Sequence, residues 1–298
     1  MTEDSKIIDT EVEKVLGMIW EPKKDQFSYK VRINFSTKRK KIRTGPDLKE
    51  EEIVQSIPKQ LTKRMILSQV ASLYDLLGLA TPLTIRCKLL IRHLITRKQE
   101  CKADEQLGWD EPIPDEMHVH WVNLLQDMYA LEDLKFRLCK KPDNALGNPS
   151  LVIYADASNI AYFTCAYIRF ELKDGTFSAQ LLAAKSRIAP IRQITTPKLE
   201  LCAAVLSARL RKVIEKETSF VFDRVLHLTD SMIVRSQIQN ESHGFGAFVG
   251  TRIAEIQTHT NTNDWWWVAT AMLRTTPHGH RIQETYDPSQ HGKGAYTI

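Results

Sequence analysis

Two apolar segments of the sequence each end on an aspartate. "LVIYAD" closes on Asp156 and "VLHLTD" closes on Asp230, and a small residue follows each of them. A buried strand seldom ends this way, because removing a carboxylate from water costs free energy unless another group compensates its charge. If the two segments are neighbouring strands of one sheet, their carboxylates meet at one edge. The pattern therefore constrains both the fold and the chemistry.

A third carboxylate comes from the helix that lies between these segments in the sequence. The stretch "TTPKLELCAAVLSARLRKVIEK" predicts a helix with Thr196 as its N-cap and Pro197 at the first helical position. Glu200 falls in the first turns of this helix and can lean toward the sheet. Three carboxylates in one partly buried site need a counter-charge, and hard divalent cations with oxygen ligands supply it. Each acid taken separately is more typical of a turn at a strand end or of a charge at a helix start.

The second half of the sequence predicts an α/β fold with a mixed sheet and helices. Its expected elements are strands at about 150–156, 160–171 and 176–186, a helix from 196, a strand at 224–230, a helix near 248–258 and a strand at 265–269. The segment "KKPDNALGNP" at 140–149 is rich in turn-forming residues. We expect a domain boundary there.

The first half predicts a hairpin followed by helices. Residues 12–35 contain two short apolar or alternating runs around the polar turn "EPKKD". Helical spacing begins at Leu61, continues to Leu76 before a stop at Gly78, and resumes at 82–94 and 115–128. The basic stretch "STKRKKIRT" is interpreted as a solvated edge strand in preference to a phosphate-contacting ribbon.

Composition is that of an ordinary globular protein, with 43% hydrophobic and 26% charged residues. No apolar run reaches the roughly 18 residues of a membrane span, and the N-terminus lacks the apolar centre of a secretory signal. We therefore expect an intracellular, cytoplasmic protein with no membrane partner. Five widely spaced cysteines suggest neither a disulfide framework nor a zinc site. The net charge of +5 is compatible with a polyanionic partner but does not require one.

The three acidic segments resemble a known set of motifs. "YADAS", "TTPKLEL" and "HLTDS" are similar, in this order, to the motifs of the ribonuclease H fold in retroelements. Further segments, among them "KVLGMIW", "LGWDEPIP", "AAKSRIAPI" and "WWWVA", resemble the BEL/Pao group of retrotransposon polyproteins. The resemblance extends from Val15 to Ala271.

The resemblance implies a domain order and an activity. Residues 1–60 correspond to a remnant of the reverse-transcriptase palm, 61–147 to the thumb and connection, and 148–271 to a ribonuclease H-like domain. Asp156, Glu200 and Asp230 would hold two Mg²⁺ or Mn²⁺ ions for cleavage of RNA in an RNA–DNA hybrid. The implied partners are such a hybrid or another nucleic acid and other parts of the retroelement polyprotein, within a virus-like particle if the element is intact.

Contacts to the nucleic-acid backbone are expected from basic residues after the third strand. Lys185, Arg187 and Arg192 lie in "AAKSRIAPIR", and cations of this kind neutralise phosphates without reading sequence. The hybrid itself would be recognised by its shape and its 2′-hydroxyls. The consecutive residues Trp265, Trp266 and Trp267 could stack on bases, but packing against a core is the preferred interpretation.

The chain departs from the family pattern at the fourth acid, which follows the fifth strand in a motif resembling N-x-A-D-x-x-[ST]-R-G. Asp264 and Asp287 do not fit this motif, and we interpret both as solvent-exposed turn residues. Codons for 271–278 can be chosen so that a shifted frame spells Asn-Val-Ala-Asp-His-Thr-Thr-Arg. We therefore interpret residues 272–298 as an out-of-frame, poorly packed tail, and we expect an impaired or inactive nuclease.

Two other functions remain open at this point. The chain could be an inert nucleic-acid-binding remnant, or a peptidase, since segments resembling residues 61–230 carry the name Pao retrotransposon peptidase. An aspartic peptidase needs a D-[ST]-G loop, and the sequence contains none. Polymerase activity is excluded because the Y-x-D-D aspartate pair is missing. Peptidase activity therefore ranks last.

Overall fold

The computed structural model describes residues 13–15, 17–36, 38–40, 42–96, 107–138 and 140–269. The expected tail at 272–298, including Asp287, lies outside these residues. The chain divides into two compact units, one containing residues up to Leu76 together with Leu83–Lys140, the other Leu77–Pro82 together with residues from Lys141 onwards. None of the helices in the described ranges has the length and hydropathy needed to cross a membrane.

The described part of the first unit forms a four-stranded antiparallel sheet and a separate two-stranded ribbon. Its strands are β1 (Glu13–Val15), β2 (Met18–Glu21), β3 (Gln26–Tyr29), β4 (Lys38–Arg39), β5 (Ile42–Arg43) and β6 (Lys135–Arg137). The sheet has the order β1-β2-β3-β6, and β4 pairs with β5. The turn predicted at "EPKKD" connects β2 to β3, with Asp25 in the left-handed region at φ 48°. Phe27 stacks on Phe136 across the sheet at 5.4 Å between ring centroids.

Four helices accompany these strands in the chain: α1 (Glu50–Ser56), α2 (Lys63–Val70), α3 (Thr81–Thr96) and α4 (Asp115–Ala130). Helix α2 ends earlier than the apolar spacing up to Leu76 predicts. The Ser72 hydroxyl donates to the carbonyl oxygen of Gln69 at 2.6 Å, a local bond that competes with continuation of a helix. Leu76, beyond the end of the helix, is 55% exposed. In α4 the buried face includes Trp121, whereas Val119 is exposed.

The second unit contains a five-stranded mixed sheet in the described residues. Its strands are β7 (Ala145–Ala157), β8 (Ala161–Leu172), β9 (Phe177–Ile188), β10 (Arg224–Thr229) and β11 (Trp265–Trp267), in the order β11-β10-β7-β8-β9. Strands β7, β8 and β9 are antiparallel, while β10 and β11 run parallel to β7. A tight turn with Gly175 at φ 81° joins β8 to β9, where "KDG" predicts a hairpin.

Three helices complete the described part of this unit: α5 (Thr196–Glu217), α6 (Met232–Ile238) and α7 (Ala247–His259). Helix α5 packs on β7 and β8 and against α7. Its N-cap is Thr195, one residue before the predicted position. Leu210 and Ile214 of α5 are buried against Leu151 and Ile153 of β7, which accounts for the apolar character of that strand.

The short segment Leu77–Pro82 lies against the outer edge of β9. The backbone N–H of Ala184 donates to the carbonyl oxygen of Leu77 at 2.8 Å. Gly78 follows with φ +77°, and a Cβ atom added there would come within 1.8 Å of the carbonyl oxygen of Ala184. Glycine is required at this position by both the backbone conformation and the close approach.

Candidate metal and nucleic-acid site

The register of the sheet places Asp156 and Asp230 side by side. In the parallel pair of β7 and β10, Thr229 lies opposite Ala155, so the next residues along the two strands are Asp156 and Asp230. The two aspartates therefore come from adjacent strands, as the sequence predicts. Their shared position at the carboxyl ends of parallel strands is where ligand sites commonly form in sheets with crossover helices.

Glu200 lies near the N-terminal end of α5, which packs on β7 and β8. It is half-buried, and its neighbours Leu199 and Leu201 are buried. The arrangement of the helix follows from its sequence, because apolar residues on the sheet-facing side leave Glu200 at the boundary between core and solvent. All three predicted acids thus belong to the second unit.

The three carboxylates do not form a ready-made metal cluster. One oxygen of Asp156, Oδ1, accepts a bond from the backbone N–H of Ala157 at 2.6 Å. Across the described ranges, no three His, Cys, Asp or Glu side chains lie close enough together to hold one ion. Carboxylates repel one another unless a cation lies between them. Their donor chemistry fits Mg²⁺ or Mn²⁺, which prefer oxygen ligands, while their convergence stays a prediction.

Neighbouring side chains define the surroundings of the two aspartates. Burial, with a contribution from the charge of Asp156, raises the pKa of the Cys165 thiol to about 12, so this thiol stays protonated. The indole nitrogen of Trp267 donates to the backbone carbonyl of Asp230 at 3.0 Å. Trp267 itself lies opposite Thr229 in the parallel pairing of β11 with β10. The C-terminal end of β11 is therefore fixed beside Asp230.

The three consecutive tryptophans divide between core and surface. Trp265 is 1% exposed, whereas Trp266 and Trp267 are 52% and 45% exposed. The preferred interpretation of packing is confirmed for Trp265, which lies in a cluster with residues of α5, α6 and α7. The two other rings face solvent.

Asp264 has a structural partner, which corrects its interpretation as a simple solvent-exposed turn residue. Its Oδ2 accepts a bond from Arg211 of α5 at 3.0 Å, and the aspartate side chain is only 29% exposed. Arg211 also pairs with Glu215 at 2.9 Å. Through its ion pair with Arg211, Asp264 links the segment before β11 to α5.

The expected nucleic-acid-binding residues lie on β9 and in the segment that follows it. Lys185 and Arg187 are exposed on β9, and Arg192 is exposed beyond the end of that strand. Lys185 pairs in register with Thr164, and Arg187 with Tyr162. Because they are two residues apart, Lys185 and Arg187 lie on the same face of the sheet.

Sequence reasoning missed the groups that surround Arg187. Tyr162, Arg209 and Arg252, from three different elements, line a pocket of about 330 Å³ together with Arg187. These residues share no motif or spacing, and only the packing of α5 and α7 beside the sheet brings them together.

The mixed sheet and its helices are those of a ribonuclease H-like domain. Residues 62–231, more than half of the chain, match the family model of the Pao retrotransposon-like RNaseH-like domain. The chain belongs to this family. The expected α/β fold with a mixed sheet is confirmed. No curated protein matches the chain.

Solved structures similar to the chain include RNase H domains and a viral protease-reverse transcriptase. The N-terminal RNase H domain of Rv2228c from Mycobacterium tuberculosis is 16% identical, covers 42% of this chain and 85% of its own, and has a TM-score of 0.29. The foamy viral protease-reverse transcriptase in complex with double-stranded DNA is 13% identical with a TM-score of 0.43. That alignment covers 90% of this chain but spans only 38% of the foamy viral protein.

Proposed function

We propose that residues 148–271 form a metal-dependent, ribonuclease H-like endonuclease domain that acts on the RNA strand of RNA–DNA hybrids. The observation that carries the proposal is the parallel register of β7 and β10, which makes Asp156 and Asp230 neighbours. Glu200 on the helix beside them supplies the third oxygen ligand. Strands and a helix hold such groups more rigidly than loops do.

Asp156, Glu200 and Asp230 would hold the divalent ions, Mg²⁺ or Mn²⁺, two of them in an intact site. When bound, such ions would activate a water and stabilise the departing 3′-oxygen. The protein's own contribution is to fix the three carboxylates and to place the hybrid against them. Lys185, Arg187 and Arg192 would contact the phosphate backbone on one side of this arrangement.

The nuclease is impaired or inactive in this chain, because the fourth acid of the family motif is missing from its sequence. Asp264 cannot replace it, since its carboxylate is already bonded to Arg211. An ion that loses a charged ligand is held more weakly, and its stabilisation of the transition state decreases accordingly. Backbone contacts by lysines and arginines do not depend on that acid.

The remaining parts of the chain are proposed to derive from a reverse transcriptase. Residues 1–60, with the β2–β3 hairpin, would be the remnant of the palm, and residues 61–147 the thumb and connection. Other polyprotein parts are the expected protein partners. An intact element would place them together in a cytoplasmic virus-like particle.

A cleavage assay tests the proposal directly. A hybrid carrying a label on the RNA strand is incubated with the full chain in Mg²⁺ or Mn²⁺, and products are resolved by length. Internal cuts in the RNA that disappear in Asp156→Asn and in Asp230→Asn support the nuclease. Cuts that persist in both variants would come from a contaminant and would refute it.

The second candidate is a nucleic-acid-binding remnant without turnover. It is favoured by the basic pocket around Arg187, which requires no metal, and by the departure from the fourth acidic motif. Hybrid binding without any cleavage, in either metal, would establish this alternative. Peptidase activity stays the least supported function: the matching family is described as an RNaseH-like domain, and the sequence lacks a D-[ST]-G loop.

A further inference from the structure

A basic pocket opens beside the candidate site in the second unit. It measures about 330 Å³ and is enclosed by β8, β9, α5 and α7. Tyr162 and Arg187 contribute to it from the sheet, Arg209 from α5 and Arg252 from α7. This volume is larger than a single small ion needs and lies within the range of pockets that bind small ligands.

The charges of the pocket do not cancel. Glu255 is its acidic residue, and both of its carboxylate oxygens bind Arg209, with Oε1 2.5 Å from Nε and Oε2 3.0 Å from Nη2. Arg187 and Arg252 therefore leave two positive charges that Glu255 does not neutralise. An arrangement of this kind attracts an anion.

Arg252 is held in place before any ligand arrives. Its guanidinium lies 3.5 Å from the ring centroid of Phe248, and its Nη1 donates to the carbonyl oxygen of Phe248 at 2.8 Å. Stacking on an aromatic ring fixes the plane of a guanidinium while leaving further N–H groups to bind a ligand. A pre-organised donor loses less entropy when a ligand binds.

Tyr162 supplies a neutral hydroxyl on the sheet side of the pocket, next to Arg187. It is the cross-strand partner of Arg187. Burial raises the pKa of its phenol, against smaller opposing contributions from Arg187, Arg252 and Arg209, so the hydroxyl keeps its proton at neutral pH. Arg187, Arg209 and Arg252 line the same pocket as Tyr162, so three guanidinium groups surround this space.

We propose that this pocket binds a phosphate group of a nucleic-acid strand, with Arg187, Arg252 and Tyr162 as the groups that contact it. The planar fork of arginine matches the oxygens of a phosphate in a bidentate manner, which favours phosphate as the ligand. The identity of the ligand as a hybrid backbone rests on the proposed function. Binding in the pocket requires neither the three carboxylates nor a metal.

Hybrid binding in EDTA tests the pocket separately from cleavage. We expect Arg252→Gln to weaken binding of a fluorescent RNA–DNA hybrid about tenfold, as for loss of one hydrogen bond to a charged group. The slope of log K against log salt concentration should decrease in magnitude by roughly one, because one phosphate contact and its released counterion are lost. Tyr162→Phe should weaken binding by a smaller factor with an unchanged salt dependence, because it removes a neutral donor.

Arg224→Gln is the matched control. Arg224 is an exposed arginine at the beginning of β10, the end opposite Asp230, and it does not line the pocket. We expect this variant to bind the hybrid as the unchanged protein does. Equal affinities and equal salt dependences for Arg252→Gln and Arg224→Gln would overturn the proposal, whatever the outcome of the cleavage assay.

A second measurement uses the unchanged protein and does not depend on the folding of a variant. Cys202 lines the pocket, so its thiol reports on occupancy. We expect hybrid in EDTA to slow alkylation of Cys202 by N-ethylmaleimide at least threefold, measured on the peptide that contains it. Equal protection by millimolar inorganic phosphate would assign the pocket to free phosphate instead of a strand, and an unchanged rate with hybrid would refute strand binding.

Discussion

The imidazole ring of His227 stacks on the indole of Trp265, with ring centroids 4.4 Å apart and planes 15° from parallel. His227 is fully buried in β10, and its Nδ1 lies 2.7 Å from the hydroxyl of Ser207. Burial, with a contribution from Arg211, lowers the pKa of His227 to about 3. The strand that leads to Asp230 therefore has a neutral histidine at its centre.

This histidine predicts that stability decreases in mild acid. The unfolded chain binds a proton at His227 near its ordinary pKa of 6.5, whereas the folded chain does so only near 3. The part of the free energy of unfolding that depends on a neutral His227 is therefore fully present above pH 6.5. It is lost as the pH falls toward 3, at about 1.4 kcal/mol per pH unit. Denaturant unfolding at pH 7.5, 6.5, 5.5 and 5.0 measures this slope.

The variant His227→Phe isolates the effect. It keeps an aromatic ring against Trp265 and removes the titrating group, at the expense of the bond to Ser207. We expect a lower free energy of unfolding at pH 7.5 but a flatter dependence between pH 6.5 and 5. An unchanged slope in this variant would assign the acid sensitivity to other groups.

Gly78→Ala should destabilise the protein by clearly more than Gly175→Ala. Both glycines have positive φ, 77° and 81°, so both substitutions carry the backbone cost of roughly 1–2 kcal/mol for a left-handed alanine. Only at Gly78 would the new Cβ overlap a backbone atom, the carbonyl oxygen of Ala184, while Gly175 has open space. The difference between the two melting temperatures measures the contact. Equal losses of stability in the two variants would mean that the segment Leu77–Pro82 can move away from β9 without an energetic penalty.

Restoring the fourth acid should restore cleavage. Replacing the tail by the continuation Asn-Val-Ala-Asp-His-Thr-Thr-Arg adds the missing carboxylate, which is expected to increase the rate on the order of a hundredfold. The control carries Asn in place of the single Asp of that motif. Hybrid affinity in EDTA should be similar in all three proteins. An unrepaired chain that cleaves as fast as the repaired one would show that the fourth acid is dispensable.

Asp264→Asn should affect stability and leave catalysis unchanged. The substitution removes the charge that pairs with Arg211, whose side chain is 17% exposed, and an unfolding penalty of about 1–2 kcal/mol is expected for a partly buried pair. In the repaired chain its cleavage rate per folded molecule should equal that of the parent. A rate loss comparable to that of Asp156→Asn would place Asp264 in the catalytic machinery.

Local patterns were sufficient to predict the elements that carry the acids. The apolar runs before Asp156 and Asp230 are strands, and a long helix begins at Thr196, next to Pro197, because these signals act between residues close in sequence. The neighbouring positions of the two aspartates followed from the expected sheet. Convergence with Glu200 stays a prediction, since it depends on side-chain positions and on a cation.

Long-range contacts were beyond prediction from one sequence. The bond from Ser72 to Gln69 lies just after the end of α2, where the apolar spacing predicts a longer helix. The sequence alone does not show which of these two effects is stronger. The pairing of Arg211 with Asp264 joins residues 53 positions apart, and neither position shows a motif. The pocket around Tyr162 has the same origin. Such contacts are set by how helices pack on the sheet, which spacing along the chain does not encode.

The segment Leu77–Pro82 also determines how copies of this protein can meet. Strand β9 is the last strand of its sheet, and an exposed edge of that kind recruits strands from other molecules. At Ala184 the donor that such a strand would need is already bound to Leu77, and Gly78 occupies the adjacent space. Sheet-to-sheet polymerisation through the middle of β9 is thereby blocked by the chain itself.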